Sequence, residues 1–157
     1  MVILDNVQEI IVKFIKSNTT LAIAESCTGG YISNMITNIS GASKVFERGI
    51  VCYSNLSKFT LLNVDPDDIV KHGAVSEIVA KQLANNIREL SNVTIGIGVT
   101  GIAGPTGGTP EKPVGLVYIG FSTKKETIVE KHQFNVSRIT FKRKVFEKVL
   151  TLLQNVF

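Results

Sequence analysis

Residues 93–121 hold two short apolar segments on either side of a loop rich in glycine and proline. The first segment is Val93-Thr94-Ile95-Gly96-Ile97-Gly98-Val99, the loop runs from Thr100 to Gly115, and the second segment is Leu116-Val117-Tyr118-Ile119-Gly120-Phe121. The apolar segments predict buried strands. Glycine lets backbone N–H groups approach an anion such as a phosphate or a carboxylate. The loop therefore indicates either a tight connection that needs positive φ angles or one wall of an anion-binding site.

A second apolar segment ends in a candidate nucleophile. Thr20–Ala24 predicts a short buried strand, and Glu25-Ser26-Cys27-Thr28-Gly29-Gly30 follows it and leads into a helix. A serine at such a turn is exposed beside free N–H groups at the helix N-terminus, where an oxyanion would be stabilised. The alternative is structural, because Ser26 or Thr28 is also a suitable N-cap residue for that helix.

The rest of the chain predicts one domain over residues 1–157 with helices on both faces of a sheet. The pattern gives an amphipathic first helix ending near Asn18, a strand over Val45–Tyr53, a short helix over Leu56–Leu62, a long helix after Ser76, a hairpin strand over Glu126–Phe134, and a closing helix. This arrangement predicts a three-layer α/β/α sandwich with a mixed, mostly parallel sheet.

Composition narrows the class of protein. The 157 residues are 44% hydrophobic and 19% charged, which argues against disorder. No stretch resembles a membrane span or a secretory signal, and two cysteines make no disulfide framework, so a cytoplasmic protein without a membrane partner is expected. The net charge is +4. Many of the cations lie in the closing helix, where a solvated face with one or two groups turned toward a phosphate is a better interpretation than a nucleic-acid surface.

Several motifs together resemble the CinA C-terminal-domain family. They are Ala24–Gly30, Phe46-Glu47-Arg48-Gly49, Tyr53-Ser54-Asn55, His72–Ser76 and Thr100–Gly115. Enzymatic members of that family are nicotinamide-nucleotide amidases, which convert nicotinamide mononucleotide and water to nicotinate mononucleotide and ammonia. The resemblance implies a sandwich in which one strand is antiparallel to its neighbours. It also implies a small nucleotide substrate and neither a metal nor an organic cofactor, and a homo-oligomer is expected.

Amide hydrolysis needs a nucleophile, a base and donors for the oxyanion. Neither His72 nor His132 is an obvious base, and no cluster has metal-ligand spacing, which leaves lysine and tyrosine. Lys58 lies near the first turn of a predicted helix, and partial desolvation there would lower its pKa. The residues alone also allow an ordinary surface lysine and a packed Tyr53. The resemblance implies a catalytic Ser26–Lys58 pair supported by Tyr53.

The candidate substrate-binding residues surround these groups. Glu25 either orders the turn or binds the ribose, and Arg48 either holds a phosphate or pairs with Glu47 or Asp65. Glu111 and Lys112 are interpreted as an exposed pair at the loop tip. The full candidate set is Glu25, Thr28, Gly29, Gly30, Arg48, Thr100, Gly101, Gly107, Gly108, Arg138 and Lys142.

One segment departs from the family pattern. The family typically has Gly-Asp-Arg before the last helix and another Arg after three further residues, whereas this chain has Val136-Ser137-Arg138 and then Lys142. Lys142 keeps the positive charge but loses the planar bidentate guanidinium. A second hypothesis is therefore a non-catalytic nucleotide-binding module of the same fold, which would need the glycine loop and the cations but not the Ser–Lys pair.

Overall fold

The computed structural model describes residues 2–156 and contains one five-stranded sheet between two layers of helices. The elements are α1 (Val2–Lys16), β1 (Leu21–Glu25), α2 (Tyr31–Thr37), a short 3₁₀ helix (Ala42–Lys44), β2 (Phe46–Val51), α3 (Asn55–Leu62), α4 (Pro66–His72), α5 (Glu77–Ser91), β3 (Ile95–Gly101), β4 (Leu116–Ser122), β5 (Thr127–Gln133) and α6 (Arg138–Gln154). Within residues 2–156, none of the helices combines the length and the apolar composition of a membrane-spanning segment.

The sheet has the order β2-β1-β3-β4-β5. β1 is parallel to both β2 and β3, and β4 is antiparallel to both β3 and β5. The prediction of a mixed sheet with one strand antiparallel to its neighbours is confirmed. The carboxyl ends of β1, β2 and β3 consequently meet at one edge of the sheet, which is the edge where open α/β sheets bind ligands.

Two apolar clusters cover the two faces of the sheet. One face packs against α1, α2 and α6 through residues such as Phe14, Ile36 and Phe146, and the other packs against α3 and α5 through Leu62 and Leu83. This confirms the predicted α/β/α layers. Helix α5 lies unusually close to the sheet, because a Cβ added at Gly98 would come within 2.4 Å of the Ala84 nitrogen.

Local capping explains where the helices begin. The Ser54 and Ser57 side chains form a reciprocal capping box at α3, and the Ser76 hydroxyl accepts from the Val79 N–H at α5, as predicted for Ser76. Strand β2 ends at Val51 rather than at the predicted Tyr53, because the chain turns there to cap α3. The 3₁₀ helix after α2 was not predicted.

Candidate active site

Three strand ends bring the predicted catalytic residues together. Ser26 directly follows β1, and its N–H donates to the Val99 carbonyl of β3 at 3.1 Å. Cys52 and Tyr53 follow β2, and the Cys52 N–H donates to the Glu25 carbonyl at 2.8 Å. Thr100 belongs to the end of β3, where its hydroxyl donates to the Ala74 carbonyl at 2.8 Å. The edge of the sheet thus fixes the positions of these side chains.

The Ser26–Lys58 pair forms at the floor of this site. Lys58 Nζ lies 3.0 Å from Ser26 Oγ, and the two residues are 1% and 7% exposed. The amine also donates to the carbonyls of Cys52 at 2.8 Å and Tyr53 at 3.4 Å. Among residues 2–156 it has no carboxylate partner. Lys58 is therefore a buried lysine with a polar coordination shell, and the interpretation of it as an ordinary surface residue is wrong.

Burial sets the protonation chemistry of the site. It lowers the pKa of Lys58 below the usual lysine value, because desolvation disfavours the charged amine. Burial raises the pKa of the neighbouring Cys27 thiol to about 12. An amine with a lowered pKa supplies a neutral base more readily, whereas a thiol with a raised pKa supplies little thiolate. The lowered pKa of Lys58 and the raised pKa of Cys27 together favour Ser26 over Cys27 as the nucleophile.

The α2 N-terminus is ordered by Glu25 rather than by Ser26 or Thr28. The N-cap residue is Gly30 without a side-chain cap. The buried Glu25 carboxylate instead accepts from the N–H groups of Gly30 at 3.0 Å, Ile32 at 3.1 Å and Ser33 at 2.8 Å, and from the Ser33 hydroxyl at 2.6 Å. Of the two alternatives for Glu25, ordering the turn is the one that these contacts support.

Helix α6 carries two cations close to the cavity, and only one of them lines it. Arg138 lines the cavity, where its guanidinium donates to the Tyr53 phenol oxygen at 2.8 Å and to the Gly104 carbonyl at 3.0 Å. Lys142 does not line the cavity but lies behind the serine turn, with Nζ 3.5 Å from the place a Cβ would occupy at Gly29. Two further α6 cations, Arg143 and Lys144, are next to Glu147.

A cavity of about 340 Å³ unites these groups. Of the predicted site residues, it is lined by Ser26, Tyr53, Lys58, Thr100, Gly101, Gly107 and Arg138. Glu25, Thr28, Gly29, Gly30, Arg48, Gly108 and Lys142 do not line it. Thr28 is fully buried, and its hydroxyl has no hydrogen-bond partner among the described residues. Arg48 is paired with Glu47 on the exposed edge strand, so the salt-bridge alternative is the one the structure supports for it.

Other lining residues escaped the sequence prediction. Asn55, Ala74 and Val75 contribute to the wall of the cavity, and Ala103 and Gly104 extend the loop wall. The sequence could have indicated three of these lining residues, because Asn55 and Ala74-Val75 belong to the motifs that carried the family resemblance. Of the pair Glu111 and Lys112, predicted to be exposed, Glu111 is exposed, whereas Lys112 is half-buried and its Nζ donates to the His72 carbonyl, which ties the loop to the end of α4.

A larger cavity lies at the opposite edge of the sheet. Its volume is about 750 Å³, and its lining includes Thr20, Thr94, Phe121 and the β4–β5 turn. Its lining contains no serine, cysteine or histidine from the described part of the chain. We therefore assign the candidate active site to the smaller cavity, where the reactive pair lies. No group of three or more potential metal-ligating side chains occurs within residues 2–156.

Comparisons with known proteins identify relatives of this chain. Residues 4–157 match the model of the CinA C-terminal domain. A CinA-like protein of Koribacter versatilis (strain Ellin345) is 54% identical over 115 residues, covering 73% of this chain and 28% of that protein. A CinA-like protein of Kosmotoga olearia is 47% identical over 135 residues, covering 85% of this chain and 33% of that protein. This chain spans between 26% and 36% of the length of the curated relatives it matches.

Solved structures share the whole fold. Competence/damage inducible protein CihA from Agrobacterium tumefaciens is 34% identical with a TM-score of 0.94, and the match covers 98% of this chain and 94% of that one. Competence damage-inducible protein A from Klebsiella pneumoniae is 27% identical with a TM-score of 0.93, covering 98% and 95% of the two chains.

Proposed function

The chain belongs to the CinA C-terminal domain family, and we propose that it hydrolyses the carboxamide of nicotinamide mononucleotide to give nicotinate mononucleotide and ammonia. The observation that carries the proposal is the 3.0 Å contact between Ser26 Oγ and the buried Lys58 Nζ. The nucleotide substrate comes from the family resemblance, and the reaction type is supported by the geometry of this pair.

The three oxygen neighbours of Lys58 fit an ammonium that donates to each of them, and they also fit the neutral amine that the proposed mechanism needs. A neutral amine has two hydrogens and one lone pair, whereas an ammonium has three hydrogens and accepts nothing. The carbonyls of Cys52 and Tyr53 accept only, so they take the two hydrogens. The remaining position faces the Ser26 hydroxyl, which is able to donate its proton to the lone pair. This contact supports the proposal that Lys58 is the general base for Ser26.

In the proposed first half-reaction, Ser26 Oγ attacks the carboxamide carbon while Lys58 takes the hydroxyl proton. The tetrahedral intermediate then collapses, the C–N bond breaks, and Lys58 returns the proton to the departing nitrogen, which leaves as ammonia. In the second half-reaction, water attacks the acyl-serine ester as Lys58 accepts its proton. The C–O bond to Ser26 breaks, the serine recovers a proton from Lys58, and the product forms as a carboxylic acid that loses its proton to water and leaves as the carboxylate.

The oxyanion is assigned to backbone donors beside the nucleophile. The N–H groups of Cys27 and Thr28 follow Ser26 and have no backbone acceptor among the described residues, whereas those of Ser26 and Gly29 are already paired. Unpaired N–H groups next to a nucleophile are the usual donors to a tetrahedral oxyanion. For the phosphate, the candidate donors are the Thr106 and Gly107 amides of the loop and the cations at the start of α6.

The direct experiment is ammonia release from nicotinamide mononucleotide by the purified protein, with Ser26→Ala as the control for a contaminating amidase. The riboside without its phosphate is the matched substrate. Losing a charge-assisted contact typically reduces affinity about ten- to hundredfold. The kcat/KM for the riboside is therefore expected to be lower than that for the mononucleotide by the same factor. A protein that binds the mononucleotide but releases no ammonia would instead be the non-catalytic binding module.

A further inference from the structure

Tyr53 contributes to the site through two parts of the residue that point to different neighbours. Its backbone carbonyl accepts from Lys58 Nζ at 3.4 Å. Its phenol oxygen accepts from the Arg138 guanidinium at 2.8 Å. Within residues 2–156 the phenol makes no hydrogen bond to either Ser26 or Lys58. The proton-transfer pair is thus complete without the phenol.

Arg138 fixes the tip of the tyrosine ring. The same guanidinium that donates to the phenol donates from its other terminal nitrogen to the Gly104 carbonyl at 3.0 Å. The planar Arg138 guanidinium therefore holds both the Gly104 carbonyl and the Tyr53 phenol. This bridge connects the β2–α3 side of the cavity to its glycine-rich loop and leaves the tyrosine ring with a defined position.

Tyr53 remains accessible to a ligand in the cavity. Tyr53 is 60% exposed although its hydroxyl is bound, and it lines the same cavity as Ser26. It is the one aromatic residue among the described residues that line this cavity. A carboxamide carbon placed at Ser26 carries its aromatic ring directly attached, so that ring must lie within one ring width of the nucleophile, against the cavity wall.

We propose that the Tyr53 side chain, held by Arg138, is the surface on which the aromatic ring of the substrate stacks, and that its phenol transfers no proton in the reaction. This assignment rests on the proposed function and specifies the substrate class as amides carried on a flat aromatic ring. It makes Tyr53 a specificity-determining residue and Arg138 a positioning residue. Stacking needs the ring but not the hydroxyl, which separates the two roles experimentally.

The experiment compares Tyr53→Phe with Tyr53→Leu, and uses Tyr118→Leu on β4 as the matched control. Binding is measured by calorimetry with nicotinamide mononucleotide in the Ser26→Ala background, and kcat and KM are measured in the active protein. Tyr53→Phe keeps the ring but loses the Arg138 contact, so its Kd is expected to rise by less than the roughly tenfold expected for Tyr53→Leu, and kcat is expected to fall by less than about tenfold in both proteins.

Two results would overturn the assignment. One is a Tyr53→Phe protein whose kcat falls by about a hundredfold at unchanged Kd, which would show proton transfer by the phenol. The other is a Tyr53→Leu protein that binds as tightly as its parent. If the Ser26→Ala parent with Tyr53 intact binds no mononucleotide and the active protein releases no ammonia, the proposed function fails and this inference fails with it.

Discussion

Ser26 Oγ and Lys58 Nζ lie 3.0 Å apart although 32 positions separate them in the chain. Ser26 is fixed by β1 and Lys58 by α3, so the contact depends on the parallel pairing of β1 with β2 and on the turn at residues 52–54. The pair is a product of the tertiary fold. Changes on either side of it are therefore expected to affect catalysis and stability separately.

The identity of the nucleophile is tested by adjacent substitutions. Ser26→Ala is expected to reduce ammonia release by about three orders of magnitude or more, because no other hydroxyl contacts the Lys58 amine among the described residues. Cys27→Ala is expected to keep most of the activity, since the Cys27 thiol has a pKa raised to about 12 by burial. Ammonia release and circular dichroism are measured on both proteins. An active Ser26→Ala protein beside a folded, inactive Cys27→Ala protein would reverse the assignment.

The protonation state of Lys58 predicts a pH dependence of activity. The base must be neutral, so kcat/KM is expected to rise with pH on the acid side, with an apparent pKa below the ordinary lysine value of 10.5. Lys58→Arg keeps a cation but removes the base, because arginine stays protonated, and is expected to be inactive. The pH profile of kcat/KM checks the first expectation. A flat profile between about pH 6 and pH 10 would argue against a lysine base.

The same pKa shift predicts a pH dependence of stability. The folded-state pKa of Lys58 lies below its unfolded value, so at this site the unfolded chain binds more protons. The stability contribution is accordingly complete above the unfolded pKa and is lost as the pH falls through the folded pKa. The free energy of unfolding of the wild type is expected to rise relative to that of Lys58→Met from neutral pH toward pH 10.5. Urea unfolding of both proteins across this range measures the difference, which would stay constant if the folded-state pKa of Lys58 equalled its unfolded value.

Glu25 is expected to be a stability residue. Its carboxylate accepts four hydrogen bonds from the start of α2, and it is fully buried. Glu25→Gln replaces one acceptor oxygen by a donor facing backbone N–H groups, and we expect a loss of about 1.5–3 kcal/mol in the free energy of unfolding. Glu47→Gln on the exposed edge strand is the control and is expected to change the urea midpoint little. Equal effects of the two changes would contradict the special role of the buried carboxylate.

The close approach of α5 to the sheet is tested at Gly98. A Cβ there would come within 2.4 Å of the Ala84 nitrogen and 2.7 Å of the Ala80 carbonyl oxygen, both of which are backbone atoms that cannot rotate away. Gly98→Ala is expected to cost about 1–3 kcal/mol in the free energy of unfolding. Val70→Ala on α4, where the side chain is 87% exposed, serves as the control. Thermal unfolding compares them, and an unchanged midpoint for Gly98→Ala would show that α5 is free to shift.

The sequence predicted the strand–turn–helix at Ser26 because the signals there are local. An apolar strand, a polar turn and two glycines lie within residues 20–30. The Glu25 contacts could not be predicted in the same way, because a carboxylate before a turn gives no sign of which backbone amides it will meet. The 3₁₀ helix over Ala42–Lys44 was missed because such short segments have little periodicity.

Lys58 shows the limit of sequence reasoning most clearly. Lysines are rarely buried, so composition favours an exposed residue, and only the family resemblance indicated otherwise. The structure gives the physical reason for its burial, because two carbonyls and a hydroxyl replace the lost water. Arg48 shows the reverse case, since its charge suggested a phosphate contact while its place on an edge strand leaves it outside the cavity.

The antiparallel direction of β4 has a consequence for how such a site diversifies. The loop between β3 and β4 leaves and returns at the same edge of the sheet, and its two ends are joined by hydrogen bonds from Ile102 to Leu116 and from Gly115 to Ile102, at 2.8 Å and 2.7 Å. A segment closed at its base in this way can gain or lose residues at its tip without changing the strand register. The loop wall of the cavity is therefore free to vary in length while Ser26 and Lys58, on the parallel side, keep their positions.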